Sequence, residues 1–141
     1  MSPTTRHFVL IEDNPLDIDL IQRAFARQGQ AQALQVVASC PQARQLFAQW
    51  QTQEALPALI LLDINLHGES GLDLLEELRA QPLTEHIPVV VLSSSQEHCD
   101  IERAYRSGVN AYLQKPMEFA ELRSLLAEIA SFWGQHNITC H

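Results

Sequence analysis

Four polar signals in this sequence each stand at or just beyond the end of an apolar run. Glu12-Asp13 follow Phe8 to Ile11, Asp63 follows Leu59 to Leu62, Ser93 follows Ile87 to Leu92, and Lys115 comes shortly after Ala111-Tyr112-Leu113. Carboxylates unaccompanied by His or Cys suit a hard, oxygen-seeking cation, Mg2+ or Mn2+ rather than Zn2+. Asp13 and Asp63 are the expected direct ligands, with Glu12 acting directly or through water. An aspartyl carboxylate is also a covalent acceptor in phosphoryl transfer, and Asp63, alone at the end of its run, is the expected acceptor. Lys115 would offset charge on the transferring group, and Ser93 would donate its hydroxyl to a phosphate oxygen with Ser94 assisting.

That chemistry requires residues far apart in the chain to meet. Each run is continuously apolar rather than alternating, as in a strand buried on both faces. Helix-like segments separate the runs, so the expected fold is α/β, a doubly wound parallel sheet of five strands with five helices, in which ligands gather beyond the carboxyl ends of the strands. The first strand spans about 7–12, and Asn14-Pro15 cap a helix that runs to Arg27 and stops at Gly29. A second strand covers Leu34 to Ala38, and Ser39 with Gln42 forms a capping box before a helix carrying Ala43, Leu46, Phe47 and Trp50 on one stripe. The third strand follows Pro57. A loop from Ile64 to Glu69 comes next, then Ser70 with Asp73 as a capping pair ahead of Leu72, Leu75 and Leu78, with Pro82 closing the region. After the fourth strand, Ser94 with Glu97 would cap a helix ending at Ser107-Gly108. The fifth strand is Asn110 to Gln114, and the last helix carries Phe119, Leu122, Leu125, Leu126, Ile129 and Phe132-Trp133 before Gly134 ends it.

A length of 141 residues suits one domain, 1–141, with its core at about 6–134 and loose termini, and leaves no room for an effector module. Seventeen acidic against nine basic side chains give a net charge of −8, which opposes sequence-independent attraction to nucleic acid or anionic lipid. No apolar run approaches the roughly 20 residues of a membrane helix, and the first residues lack the apolar core of a signal peptide, so a cytoplasmic location is expected. Cys40, Cys99 and Cys140 are odd in number and widely spaced, the pattern of reduced thiols. Gly68 and Gly71 form no phosphate-binding loop, no Ser sits in a G-x-S-x-G elbow, and the histidines, His67 and His98 among them, show no zinc spacing. Asp17 and Asp19 are expected on the solvated face of the first helix. Taken singly, each signal has a plainer reading: Glu12-Asp13 as a helix-terminus charge, Asp63 as a loop cap, Ser93 to Ser95 as turn residues, Lys115 as a solvated lysine. Their joint position on one edge of one sheet favours the site.

The residues Val9-Leu10-Ile11-Glu12-Asp13-Asn14, Leu61-Leu62-Asp63-Ile64-Asn65-Leu66, Val89-Val90-Val91-Leu92-Ser93-Ser94 and Gly108 to Pro116 together resemble the motifs of a response-regulator receiver domain of two-component signalling. The intervals agree as well, 30 residues from Asp63 to Ser93 and 52 from Asp63 to Lys115. The resemblance implies a flavodoxin-like receiver fold with strand order 2-1-3-4-5. It also implies a metal ligand from the backbone carbonyl of Asn65, an aromatic switch at Tyr112 acting with Ser93, and a cis Lys115–Pro116 bond. Ser94 stands where a small Ala is common, and Ser39-Cys40-Pro41 replaces a frequent Asp-Gly. Within the family the chain is most similar to stand-alone regulators that work with bacterial phytochrome kinases, through Ile11 to Asn14, Ile87 to Ser95 and Ile129 to Trp133.

The expected function is therefore that of a single-domain phosphoreceiver. A sensor histidine kinase, of bacteriophytochrome type by the resemblance, phosphorylates Asp63 in a Mg2+-dependent step, and the chain relays the signal through its surface or by a change of oligomer. The resemblance further implies a homodimer through the fourth helix, fifth strand and fifth helix, with no enzymatic turnover beyond its own phosphotransfer and dephosphorylation. Two rivals stay open: an aspartyl-phosphate phosphatase or phosphotransferase, against which Asn65 stands where such hydrolases carry a second acid, and a receiver-like interaction module that takes no phosphate.

Overall fold

Alternation within buried strands splits the chain's apolar residues into two cores. The computed structural model describes residues 7–27, 34–52 and 56–139. Its five parallel strands are β1 (Phe8–Ile11), β2 (Leu34–Val37), β3 (Leu59–Leu62), β4 (Val89–Ser93) and β5 (Ala111–Gln114), ordered β2-β1-β3-β4-β5. Five α-helices connect and follow them: α1 (Pro15–Arg27), α2 (Cys40–Trp50), α3 (Gly71–Arg79), α4 (His98–Arg106) and α5 (Phe119–Ser131). The inner strands β1, β3 and β4 are buried at every position, whereas the edge strands are only partly so, which is why the inner three read as unbroken apolar runs.

On one face Val9, Ile11, Ile60, Leu62, Val89 and Val91 pack with residues of α2, α3 and α4. On the other, Phe8, Leu10, Leu59, Leu61, Val90 and Leu92 pack with Ile21, Ala24 and Phe25 of α1 and Leu122, Leu126 and Ile129 of α5. The register sets Ile11 beside both Val37 and Leu62, and Leu62 beside Val91, so the inner strands end nearly level. Ladder bonds run just past those ends: Glu12 N–H donates to Val37 O (3.1 Å), Asp63 N–H to Ile11 O (3.0 Å) and Lys115 N–H to Ser93 O (2.8 Å). The sheet thus fixes the backbones of all three residues before any side-chain contact is counted.

Several local expectations need correcting. Ser39 caps α2 by accepting from Gln42 N–H (3.3 Å), but Gln42 reaches back to Ala38 N–H rather than to Ser39. Ser70 caps α3, whereas Asp73 pairs with Arg103 across the helix interface (2.6 Å) because that guanidinium offers a charge that a backbone N–H does not. Ser94 does not cap α4. The helix starts later, at His98, and Ser95 Oγ accepts from Glu97 N–H instead. The loop 64–70 holds a two-residue antiparallel ladder, Asn65–Leu66 against Glu69–Ser70. Gly134 does not end the last helix: a π-helical turn, Phe132–His136, continues α5 through it. The Lys115–Pro116 bond is trans, as are all peptide bonds among the described residues. Trans is the lower-energy isomer by about 0.5–1 kcal/mol, and the Lys115 side chain reaches the sheet edge from it. Cys40 is buried and Cys99 exposed, both free, while Gly29 and Cys140 lie outside the described residues.

Candidate functional site

The carboxyl edge of the sheet gathers the predicted side chains. Ligand oxygens of Glu12, Asp13 and Asp63 all lie within 4.8 Å of one another. Glu12 is 1% exposed and Asp63 7%, so both carboxylates are largely removed from solvent. Lys115 enters from the end of β5 with Nζ 3.1 Å from Glu12 Oε2 and 3.7 Å from Asp63 Oδ2. Loop backbone finishes the arrangement: Asn14 N–H donates to Glu12 Oε1 and Asn65 N–H to Asp63 Oδ1, each at 3.1 Å.

Electrostatics follow from that crowding. Burial first, then the hydrogen bond and charge of Asp63, push the Glu12 carboxyl from its ordinary 4.5 up to about 7, while Lys115 opposes the shift. Burial opposes the charged form of Lys115 too, yet its hydrogen bond to Asp17 and the charges of Asp63 and Glu12 raise its pKa above the ordinary lysine value. For Asp13 burial would raise the carboxyl, but the His67 ring and backbone N–H outweigh it and hold the pKa below the usual range. A donor set made only of carboxylate oxygens, with one ammonium among four acids, fits a hard divalent cation.

Ser93, at the end of β4, is fully buried. Its Oγ accepts from Ser95 N–H (3.1 Å), and the Tyr112 phenol lies beside the same hydroxyl. Ser95 rather than Ser94 is the connected residue of this loop: its Oγ donates to Asp100 Oδ2 (2.8 Å), and its carbonyl accepts from Tyr112 Oη (2.9 Å), while Ser94 is exposed. In this conformation Tyr112 already points toward the loop and packs against the core beneath it.

Two residues escaped the sequence reading. Asp17, expected on a solvated helix face, lies 2.8 Å from Lys115 Nζ. Asp13 precedes the helix, which starts at Pro15, so no helical spacing marked Asp17, and only the reach of the Lys115 side chain reveals it. His67 holds Asp13 Oδ2 through its backbone N–H (2.7 Å) and ring Nδ1 (2.5 Å). No spacing rule foretold this contact, because it depends on the turn at Gly68, whose φ is +75°. Asp19 is exposed as expected and pairs with Arg23.

The family model described as "Response regulator receiver domain" matches residues 8–127. The chain belongs to that family. Among relatives, the receiver is 33% identical over 126 residues to the probable methanogenesis regulatory protein FilR2 of Methanothrix harundinacea, covering 89% of this chain and 81% of that one. It is likewise 33% identical over 128 residues to response regulator Rcp1 of Synechocystis, covering 89% and 86%. Of solved structures, the phosphorylated cyanobacterial phytochrome response regulator RcpA superposes with a TM-score of 0.89 at 32% identity, covering 98% of the receiver and all of that chain. The Mn2+-bound form of Rcp1 gives 0.79 at 29% identity, covering 96% and 99%. This chain is a phosphoacceptor response regulator with the receiver fold, and its acidic cluster suits a divalent metal ion. None of the described helices is long and apolar enough to cross a membrane.

Proposed function

We propose that Asp63 accepts a phosphoryl group from the phosphohistidine of a sensor histidine kinase. The P–O bond to an Asp63 carboxylate oxygen forms as the P–N bond to the imidazole breaks, leaving an acyl phosphate on the receiver and neutral histidine on the kinase. The single observation that carries this reading is the approach of the Lys115 ammonium to within 3.7 Å of Asp63 Oδ2 inside a cluster of carboxylates. Asp13 and Asp63, with Glu12 directly or through water and the Asn65 carbonyl, are the proposed holders of Mg2+ or Mn2+. When bound, that ion supplies positive charge to the phosphoryl oxygens. Lys115 offsets the remaining charge as a point ammonium.

Relay then runs through Ser93. Its hydroxyl turns to a phosphoryl oxygen, the bond from Ser95 N–H is disturbed, and the Ser95 carbonyl that Tyr112 holds shifts with it. Local hydrogen bonding at Asp63 thereby biases the surface around α4 and β5. Similarity to Rcp1 and RcpA supports a bacteriophytochrome-type kinase as the upstream partner, and a kinase donor implies the cytoplasm. Exposed Tyr105 and Met117 support a homodimer through α4, β5 and α5. The net charge of −8 supports a protein partner over nucleic acid or a membrane surface.

Incubation with acetyl phosphate or phosphorylated kinase and Mg2+ should label the chain stoichiometrically and once. Asp63→Asn and chelation of the metal should each abolish the label. Sustained turnover of phosphate esters that depends on Asp63 would favour the phosphatase, and complete failure to label would favour the interaction module.

A further inference from the structure

The Lys115 ammonium is shared among three carboxylates, and the nearest of them lies outside the metal-type cluster. Asp17 Oδ2 stands 2.8 Å from Nζ, closer than Glu12 at 3.1 Å or Asp63 at 3.7 Å. Asp17 occupies the first turn of α1, whose start is set by Asn14: the Asn14 Oδ1 accepts from Leu16 N–H (2.9 Å) and Asp17 N–H (3.3 Å). The side chains of Asp17 and Lys115 are only 23% and 11% exposed, so water screens their contact incompletely.

Accepting the reading of Asp63 as the phosphoryl acceptor, we infer that Asp17 is a positioning residue that restrains Lys115, holding the ammonium back from Asp63 and competing with the phosphoryl group for it. A lysine is a compact charge on a flexible four-carbon stem, able to swing between neighbouring anions. A phosphoryl group on Asp63 brings close to two negative charges, and Lys115 can approach it fully only by loosening its contact with Asp17. The Asp17 carboxylate also repels the incoming anion directly. Both effects weaken the hold of the site on phosphate and so favour its release.

One effect opposes these: losing Asp17 altogether would leave Lys115 less ordered. Asp17→Asn separates the two, because an amide oxygen still accepts an ammonium hydrogen at the same place while carrying no charge. A role limited to the helix terminus predicts something different again, a small loss of stability with no change in ligand affinity.

The test is equilibrium binding of fluoroberyllate, a non-covalent phosphoryl mimic, to the full chain at fixed Mg2+, followed by 19F NMR. Asp17→Asn should bind roughly fivefold more tightly than wild type, the scale of one partly screened charge contact. Asp17→Glu should return the affinity to the wild-type value, and Asp17→Ser provides a second neutral variant should the first fold poorly. Equal or weaker binding by folded neutral variants overturns the inference while leaving the phosphoreceiver reading intact. Absence of fluoroberyllate binding by the wild type overturns that reading and this inference with it.

Discussion

At Glu12, burial is set against charge. Its carboxyl is displaced from 4.5 to about 7, chiefly by desolvation and then by Asp63. The folded chain therefore retains a proton that the unfolded chain releases between those values, so the stability contributed by Glu12 falls as pH rises from 4.5 through about 7. A divalent cation binds the deprotonated form and should recover the loss above that range. In urea titrations with chelator, wild type should lose stability relative to Glu12→Gln between about pH 5 and pH 7.5, and Mg2+ should narrow the gap at the upper end. Parallel curves for the two proteins would count against the burial argument. That Glu12, Asp13, Asp63, Ser93 and Lys115 would meet at the strand ends was legible because each stands at or just beyond the end of an apolar run. Asp17 and His67 were not, since their roles depend on the direction of one helix turn and the shape of one loop.

Among the elements, the start of α3 is fitted tightly against Asp63, the proposed acceptor. A Cβ on Gly71 would collide with the Asp63 carbonyl oxygen and stand 2.9 Å from Ile64 Cα, both backbone atoms that cannot yield cheaply. Gly71→Ala should cost about 1–3 kcal/mol in urea unfolding and slow the labelling of Asp63, because the strain falls on the peptide of Asp63 itself. Labelling at the wild-type rate would refute that coupling. Arg79, at the end of α3, ties down the opposite edge of the sheet. Its guanidinium donates to Ile87 O (2.8 Å), Glu85 O (3.0 Å), Gly108 O (3.0 Å) and Asn110 Oδ1 (3.2 Å). Arg79→Ala should cost about 1.5–3 kcal/mol, the scale of a charge-assisted hydrogen bond, yet leave labelling unchanged, since the strands carry Asp63 at their other end. A loss of labelling in a folded variant would show that the two sheet edges are coupled.

At the scale of the molecule, α1 and α5 share one face of the sheet while α2, α3 and α4 cover the other. The aromatic tail divides between core and surface: Trp133 packs against the α1–α5 core, whereas Phe132 is 52% exposed, with the two rings edge to face at 4.9 Å. Truncation of the partly buried Trp133 to Ala should therefore cost about 1–3 kcal/mol. Phe132→Ala should stay within about 0.5 kcal/mol in the isolated subunit. Sedimentation of the Phe132 variant before and after phosphorylation separates a surface aromatic from an interface one, and a shift away from the wild-type oligomer would assign Phe132 to the contact between copies.

The amino-acid sequence by itself determined that there is a parallel sheet and where its strands stop. Strands buried on both faces must be unbroken apolar runs, and the first polar residue after each run must emerge at the sheet's carboxyl edge. Side-chain reach was settled only by the tertiary structure. Lys115 can extend toward any neighbouring anion, and three-dimensional packing alone brings Asp17 nearer to it than Asp63. Likewise the strand ends gave no hint that Ser95, rather than Ser94, would join Ser93 to Tyr112, because loop hydrogen bonds depend on a backbone path that no residue pattern encodes.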